Sequence, residues 1–229
     1  MENNCNVVES VAKTIANYSG DIVIDFLELA LDSFFENPLL RELPIVKTFA
    51  SIARIGFAIR EKHLLRKTII FINQLNANSI DNAKYEKYKS RIKKKDKKLY
   101  SELEIVLIII DRLVDERKSI ILANLFFNYI DRTIDWEDFL ELSLIVDNLF
   151  INDIPELKMM YEKNAITMNE IVNKTSFNRL KNQNLIDDIN SISRDSNGNI
   201  NTRYNENDYQ ISVLGIRLYE LGINYKIKE

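Results

Sequence analysis

The chain holds few of the side chains that carry enzyme chemistry. His63 is its single histidine and Cys5 its single cysteine, so the usual ligands cannot assemble a zinc site or a Ser-His-Asp arrangement. Asp111 and Asp115 lie one helical turn apart, but the arginines that follow each of them favour ion pairing. The sequence has no Walker A, GxGxxG or HExxH motif. We therefore predict a protein that is not an enzyme and needs no cofactor or metal.

The acidic stretch at 131–139 superficially echoes part of a calcium loop. Aligning Ile134 with the eighth loop position puts Arg132 where glycine is needed and aromatic residues where ligands are needed. That mismatch excludes a calcium site of this kind. Asp135, three residues before Asp138, fits the N-cap of a helix instead.

The densest charge in the chain is a basic stretch at 84–98. It contains nine basic residues against Glu86 and Asp96, although the whole chain carries a net charge of −3. Such a stretch can follow a phosphate backbone or an anionic lipid surface. The apolar residues from Tyr85 to Leu103 recur at helical spacing, however, and an amphipathic helix with a basic back is the simpler interpretation. The candidate binding residues here are Lys87, Arg91, Lys93, Lys94, Lys95, Lys97 and Lys98.

The elements that position these residues are predicted to be helices. Hydrophobic residues make up 46% of the chain, enough for a buried core, and the scarcity of glycine and proline argues against a turn-rich β sandwich. A chain of 229 residues can form one medium and one small domain. We predict a mainly α protein: a multi-helix bundle over residues 1–163, followed by a small winged-helix-like α+β unit over residues 164–229.

Apolar periodicity places the individual helices of the bundle. We predict one helix before Gly20, a second at 22–34 and a long helix from Pro44 to Asn76. A further helix is predicted over 83–114, where the apolar run 105–110 is interpreted as buried helix rather than strand. Shorter helices are predicted at 119–130, 136–150 and 153–161.

The character of the sequence changes near Ala165. Short helices at 167–172 and 176–183, a strand at 185–193 and a turn at 195–199 are predicted in that order. A return strand at 208–211 and a last helix at 213–221, capped by Ser212, complete the series. This order of elements is the plan of a winged-helix unit.

Two segments of the tail carry a family resemblance. They read Phe-Asn-Arg-Leu-Lys-Asn-Gln-Asn-Leu-Ile at 177–186 and Tyr-Gln-Ile-Ser-Val-Leu-Gly at 209–215. The tail resembles the winged-helix segment that ends Abi-alpha-like abortive-infection proteins, over about the last quarter of the chain. The resemblance implies a bacterial or phage origin and a phage-defence context.

A winged-helix unit binds DNA by placing its second helix in the major groove, while the wing touches the backbone. The candidate contact residues for nucleic acid or another partner are Lys174, Asn178, Arg179, Asn182, Arg194 and Arg203. Acids beside them, such as Asp187 and Asp188, weaken phosphate attraction, so protein contacts are the alternative. We expect Arg179→Ala to weaken partner binding and spare stability, and Leu180→Ala to cost about 2–5 kcal/mol.

Three functions remain open from the sequence. The leading one is a non-enzymatic macromolecular-binding protein whose partner is a protein or a nucleic acid, with homo-oligomer formation possible and no small-molecule substrate. The second is a membrane-active effector whose amphipathic helix 44–75 inserts on activation, and the third is a structural subunit of a larger assembly. The lone cysteine and an opening without signal-peptide character predict a cytoplasmic location.

Overall fold

The computed structural model describes residues 2–17, 37–52, 59–78, 82–163, 165–194 and 200–224. Over these residues the protein is mainly helical, with one small antiparallel sheet towards the C-terminus. The predicted fold class is therefore confirmed. The chain divides into two compact units, Met1–Asp147 and Asn148–Lys228.

The first unit is built of helices. They are α1 (Glu2–Asn17), α2 (Pro38–Arg41), α3 (Pro44–Ile52), α4 (Ile59–Ala77), α5 (Ala83–Lys93), α6 (Lys97–Arg112), α7 (Lys118–Ile130) and α8 (Trp136–Asn148). Helix α1 packs against α3, α5 and α6, and α4 packs mainly against α7. The predicted helix at 22–34 lies outside the described residues.

An aromatic cluster forms the centre of the first unit. The ring of Phe126, on α7, lies 5.7 Å from that of Phe71 and 5.3 Å from that of Phe139, measured between centroids. Tyr88, on α5, meets Phe126 edge-on at 5.9 Å. Aromatic pairs at these distances add to the stabilisation from burial alone. The cluster ties four helices of the unit to one core.

Two buried lysine side chains donate hydrogen bonds to the carbonyl oxygens at the C-terminal ends of other helices. The Lys67 ammonium donates to the carbonyl oxygens of Asp111 and Leu113, at 2.8 and 2.7 Å, where α6 ends. The Lys118 ammonium donates to the carbonyl oxygen of Asp147, at 2.8 Å, in the last turn of α8. The side chains are only 6% and 7% exposed. Each cation satisfies carbonyls that a helix end leaves without an internal partner and lies at the negative end of the helix dipole.

The structure corrects the predicted single helix over 83–114. The chain turns at Lys94–Asp96 and forms α5 and α6 instead, because Lys95 takes a left-handed conformation with φ of 54°. Asp96 then caps α6 by accepting the backbone N–H groups of Lys98 and Leu99. The predicted helix from Pro44 to Asn76 appears as α3 and α4, and residues 53–58 between them lie outside the described ranges.

The second unit follows the order of a winged-helix unit. It contains a 3₁₀ turn (Ile151–Asp153), α9 (Ile154–Lys163), β1 (Ala165–Thr167), a 3₁₀ turn (Met168–Glu170), α10 (Lys174–Asn182), β2 (Ile186–Arg194), β3 (Ile200–Ile211) and α11 (Val213–Leu218), which continues as a π turn (Tyr219–Ile223). The antiparallel sheet has the order β1-β3-β2. Its register places Ile166 opposite Tyr209 and Ile186 opposite Ile211.

Three details of this unit differ from the sequence prediction. The stretch 167–172 is not a helix: β1 ends in a capping box between Thr167 and Glu170, and only one 3₁₀ turn follows. The last helix passes through Gly222 as a π turn instead of stopping there. The compact unit begins at Asn148 rather than at residue 164, because α9 packs on α10, β1 and β3.

Candidate functional site

The basic stretch of the first unit folds into a corner between two helices. It covers helix α5, the turn at 94–96 and the first turn of α6. Five of its nine cations have a carboxylate within 4 Å: Lys84 with Asp131, Lys89 with Glu86, Arg91 with Asp96, Lys95 with Glu9, and Lys98 with Glu102. The other four are exposed and have no ion pair among the described residues; we call Lys87, Lys93, Lys94 and Lys97 the lysine corner.

The backbone beneath the lysine corner is held firmly. Arg91 Nε donates to Asp96 at 2.9 Å, across the turn, and this contact, with the backbone N–H of Leu99, holds the pKa of the Asp96 carboxyl below its usual range. Tyr85, Tyr88 and Ile92 are buried on the inner side of α5. The corner is thus a fixed platform from which the lysine side chains extend into solvent.

The second candidate surface is the outward face of α10. Asn173 caps this helix by accepting the N–H groups of Thr175 and Ser176, and Phe177 and Leu180 are buried on its inner side. Lys174, Asn178 and Asn182 are exposed at four-residue steps, so they share one face. Val172, just before the helix, is 84% exposed.

Arg179 is engaged inside the second unit. Its Nε and Nη2 donate to the two carboxylate oxygens of Asp153 at 2.7 and 2.5 Å, and its guanidinium lies 5.0 Å from the ring centroid of Phe150. Asp153 is completely buried, while the Arg179 side chain keeps 40% exposure. The expectation that Arg179→Ala spares stability is therefore reversed, because removing the guanidinium leaves a buried carboxylate without its counter-charge.

Lys181 is the other cation of α10 with an internal partner. Its ammonium lies 2.6 Å from Asp188 and 4.8 Å from the centroid of the Tyr209 ring. Arg194 and Arg203 lie on β2 and β3, the strands on either side of 195–199, with Arg203 opposite Ser191. Their side chains and the predicted turn at 195–199 lie outside the described residues.

The candidate chemical groups do not converge. His63 is exposed on α4, at the rim of a depression of about 620 Å³ that Lys67 and the 113–117 loop also line. The acids of that loop are paired, Asp115 with Arg117 and Glu116 with Arg66, and Asp111 pairs with Arg60. In the part of the chain that the structure describes, no three His, Cys, Asp or Glu side chains form a metal-binding group. The absence of enzymatic activity stays a prediction.

The segment predicted to insert into membranes, residues 44–75, contributes many buried side chains to the core. Helix α4 buries a continuous run of side chains from Lys67 to Ile72, and α7 packs against it. Among the described residues, no helix has both the length and the apolar character needed to cross a bilayer.

Sequence reasoning missed the residues that hold both surfaces in place. Asp153 precedes a helix that begins Ile-Pro, which suggests a capping role and gives no sign of a partner on α10. Asp96 is followed by a first turn that begins with two lysines, and its N-cap role was the one available sign of a helix start. The acid at Asp135 was interpreted correctly: its carboxylate accepts the backbone N–H of Asp138 at the start of α8, and the Asp138 carboxylate accepts the backbone N–H of Asp135.

Comparison with known proteins adds no relative from which a role could be transferred: no family model, curated protein or solved structure matches this chain.

Proposed function

We propose that this chain is a non-enzymatic binding protein that holds a protein partner through the outward face of α10. The observation that carries the proposal is that most of the cations on this helix are already in ion pairs. Two of its three cations, Arg179 and Lys181, are bound to Asp153 and Asp188. What faces solvent is one lysine, two amides, a hydroxyl group and a neighbouring exposed valine.

This surface suits a protein better than a nucleic acid. Nucleic-acid affinity comes mainly from cations that neutralise phosphates, and residues 148–228 contain ten basic and ten acidic side chains. Protein interfaces combine an apolar contact with a rim of hydrogen-bonding groups. Val172 supplies the first, and Lys174, Asn178 and Asn182 supply the second.

The cellular context of the proposal rests on the resemblance of the tail to Abi-alpha-like proteins. In that context the partner is a protein made or altered during phage infection. A plaque assay on bacteria that express the full chain tests it. The context is supported if the wild-type chain lowers plaque number and Val172→Asp restores it, and it is contradicted if both chains behave alike.

Site-specific cross-linking tests the surface itself. The full chain with a photo-reactive residue at position 178 is expressed in cells in three forms: otherwise wild type, with Val172→Asp and with Val213→Asp. Val213 is a matched control because it is 74% exposed in the same unit but lies away from Val172. Its neighbour Ser212 donates hydrogen bonds to Asn184 and Leu185, which follow the C-terminal end of α10, whereas Val172 precedes the N-terminal end. We expect one protein adduct that Val172→Asp removes and Val213→Asp retains.

Two outcomes would contradict the proposal. The first is an adduct pattern that Val172→Asp and Val213→Asp change equally, since the face of α10 would then be irrelevant. The second is tight binding of the purified chain to duplex DNA that Lys174→Glu abolishes, because α10 would then act as a nucleic-acid recognition helix.

A further inference from the structure

The lysine corner is not explained by the stability of the fold. Four uncompensated cations lie within eleven residues of a chain whose net charge is −3, and neighbouring like charges destabilise the folded state. Lys93 and Lys94 lie at the C-terminal end of α5, where the helix dipole favours a cation. Lys97 lies in the first turn of α6, where the dipole disfavours one, and Lys87 lies in the middle of α5.

The corner also lacks the parts of a membrane-binding helix. An interfacial helix buries an apolar face among the lipids, whereas Tyr85, Tyr88 and Leu99 on α5 and the start of α6 are buried in the protein. Among the described residues, the exposed large hydrophobic side chain nearest along the chain is Ile108, three turns into α6. The exposed surface is therefore a set of point charges on flexible stems.

A linear polyanion fits this arrangement. Lys87 and Lys94 are seven residues apart along α5 and its cap, about 10 Å at ~1.5 Å per residue, and Lys97 follows three residues later, after the turn. Duplex DNA presents a negative charge about every 1.7 Å along its axis, so all four lysines can meet phosphates together. A single small anion could contact only one or two of them.

We infer that the lysine corner binds the phosphate backbone of nucleic acid without regard to base sequence. Exposed lysine ammonium groups contact phosphates, while base recognition needs side chains that reach into a groove. The first unit thereby tethers the protein to nucleic acid by a contact separate from the proposed protein-binding face of α10, and either contact can fail without the other.

The experiment measures the salt dependence of binding of the full chain to a fluorescently labelled 25-base-pair duplex. If four phosphates are neutralised, log affinity falls against log salt with a slope of about −3.6, so raising salt from 50 to 200 mM weakens binding about 150-fold. The triple variant Lys93→Gln, Lys94→Gln, Lys97→Gln keeps one contact. We expect a slope of about −0.9 and a loss of only about 3.5-fold over the same range.

Charge reversal and a matched control complete the test. Lys93→Glu, Lys94→Glu and Lys97→Glu together should abolish binding, and a scrambled duplex should bind the wild type as tightly as the first one. The control changes three exposed lysines elsewhere by the same charge: Lys47→Glu, Lys158→Glu and Lys163→Glu. It should retain the wild-type slope, and circular dichroism checks that every variant is folded.

Several results would overturn the inference. The first is that the wild type does not bind duplex at 50 mM salt. The second is that the control variant loses as much duplex affinity as the corner variants. The third is that the glutamine variant has the same salt slope as the wild type. Binding to vesicles containing phosphatidylserine that exceeds binding to duplex would assign the corner to membranes instead.

Discussion

The ion pair between Asp153 and Arg179 allows the sharpest test of how the second unit is held together. We choose Arg179→Met because methionine keeps an unbranched stem beside Phe150 and removes the charge, its two hydrogen bonds to Asp153 and a longer one to Ser176 Oγ. Breaking a buried pair from one side costs about 3–5 kcal/mol. Since Asp153 is fully buried but Arg179 is 40% exposed, water partly compensates, and we expect about 2–3 kcal/mol.

Native-state hydrogen exchange followed by mass spectrometry measures this cost where it arises. A loss of 2–3 kcal/mol should speed exchange in peptides covering α10 by about 30- to 150-fold. Peptides covering α7, in the first unit, serve as the internal reference and should not change. The experiment uses the whole chain, so no fragment has to fold alone.

Lys181→Met is the matched control for this measurement. It also breaks an ion pair made by a cation of α10, but both partners, Lys181 and Asp188, are substantially exposed. Exposed pairs contribute at most about 1 kcal/mol, which corresponds to about a 5-fold change in exchange. If Arg179→Met accelerates exchange no more than Lys181→Met does, the reasoning from burial is refuted.

Three further predictions concern the same unit. Leu180→Ala should lower the free energy of unfolding by about 2–5 kcal/mol because Leu180 is fully buried, as urea denaturation measures; a loss below 1 kcal/mol would contradict its place in the core. Gly215→Ala should cost about 1–3 kcal/mol, since a Cβ there would lie 2.4 Å from the carbonyl oxygen of Leu185, and calorimetry should show a lower melting temperature. A backbone N–H and a lysine ammonium lower the pKa of Glu170 from 4.5 to about 2, so its contribution to stability is present above pH 4.5 and is lost as the pH falls through about 2. Glu170→Gln should flatten the pH dependence of unfolding in that window, and an unchanged profile would show that the capping box contributes nothing.

The sequence predicted those helices whose apolar periodicity is uninterrupted and whose ends are capped locally. Helices α7 and α8 lie where they were predicted, to within two residues at each end, because the periodic residues face one continuous core. The break at Lys94–Asp96 was hidden because lysine is a good helix former and the apolar spacing runs on from Ile92 to Leu99 across the turn.

Features that depend on distant parts of the chain could not be predicted. Strand β1 has three residues, and its structure depends on pairing with β3 more than forty residues later. The partner of Arg179 is 26 residues away on a different element. Residue type was therefore enough to find both candidate surfaces. Tertiary ion pairs, which the sequence does not reveal, determine which of their cations remain unpaired in solvent.

The two buried lysines have a consequence for the order in which the chain is made. Lys67 precedes Asp111 by 44 residues, and Lys118 precedes Asp147 by 29. The ribosome adds about 5–20 residues per second. Each lysine is therefore synthesised a few seconds before the helix end that it caps. Helices α6 and α8 can be closed as soon as their last turns leave the exit tunnel, with no need to wait for the C-terminal unit.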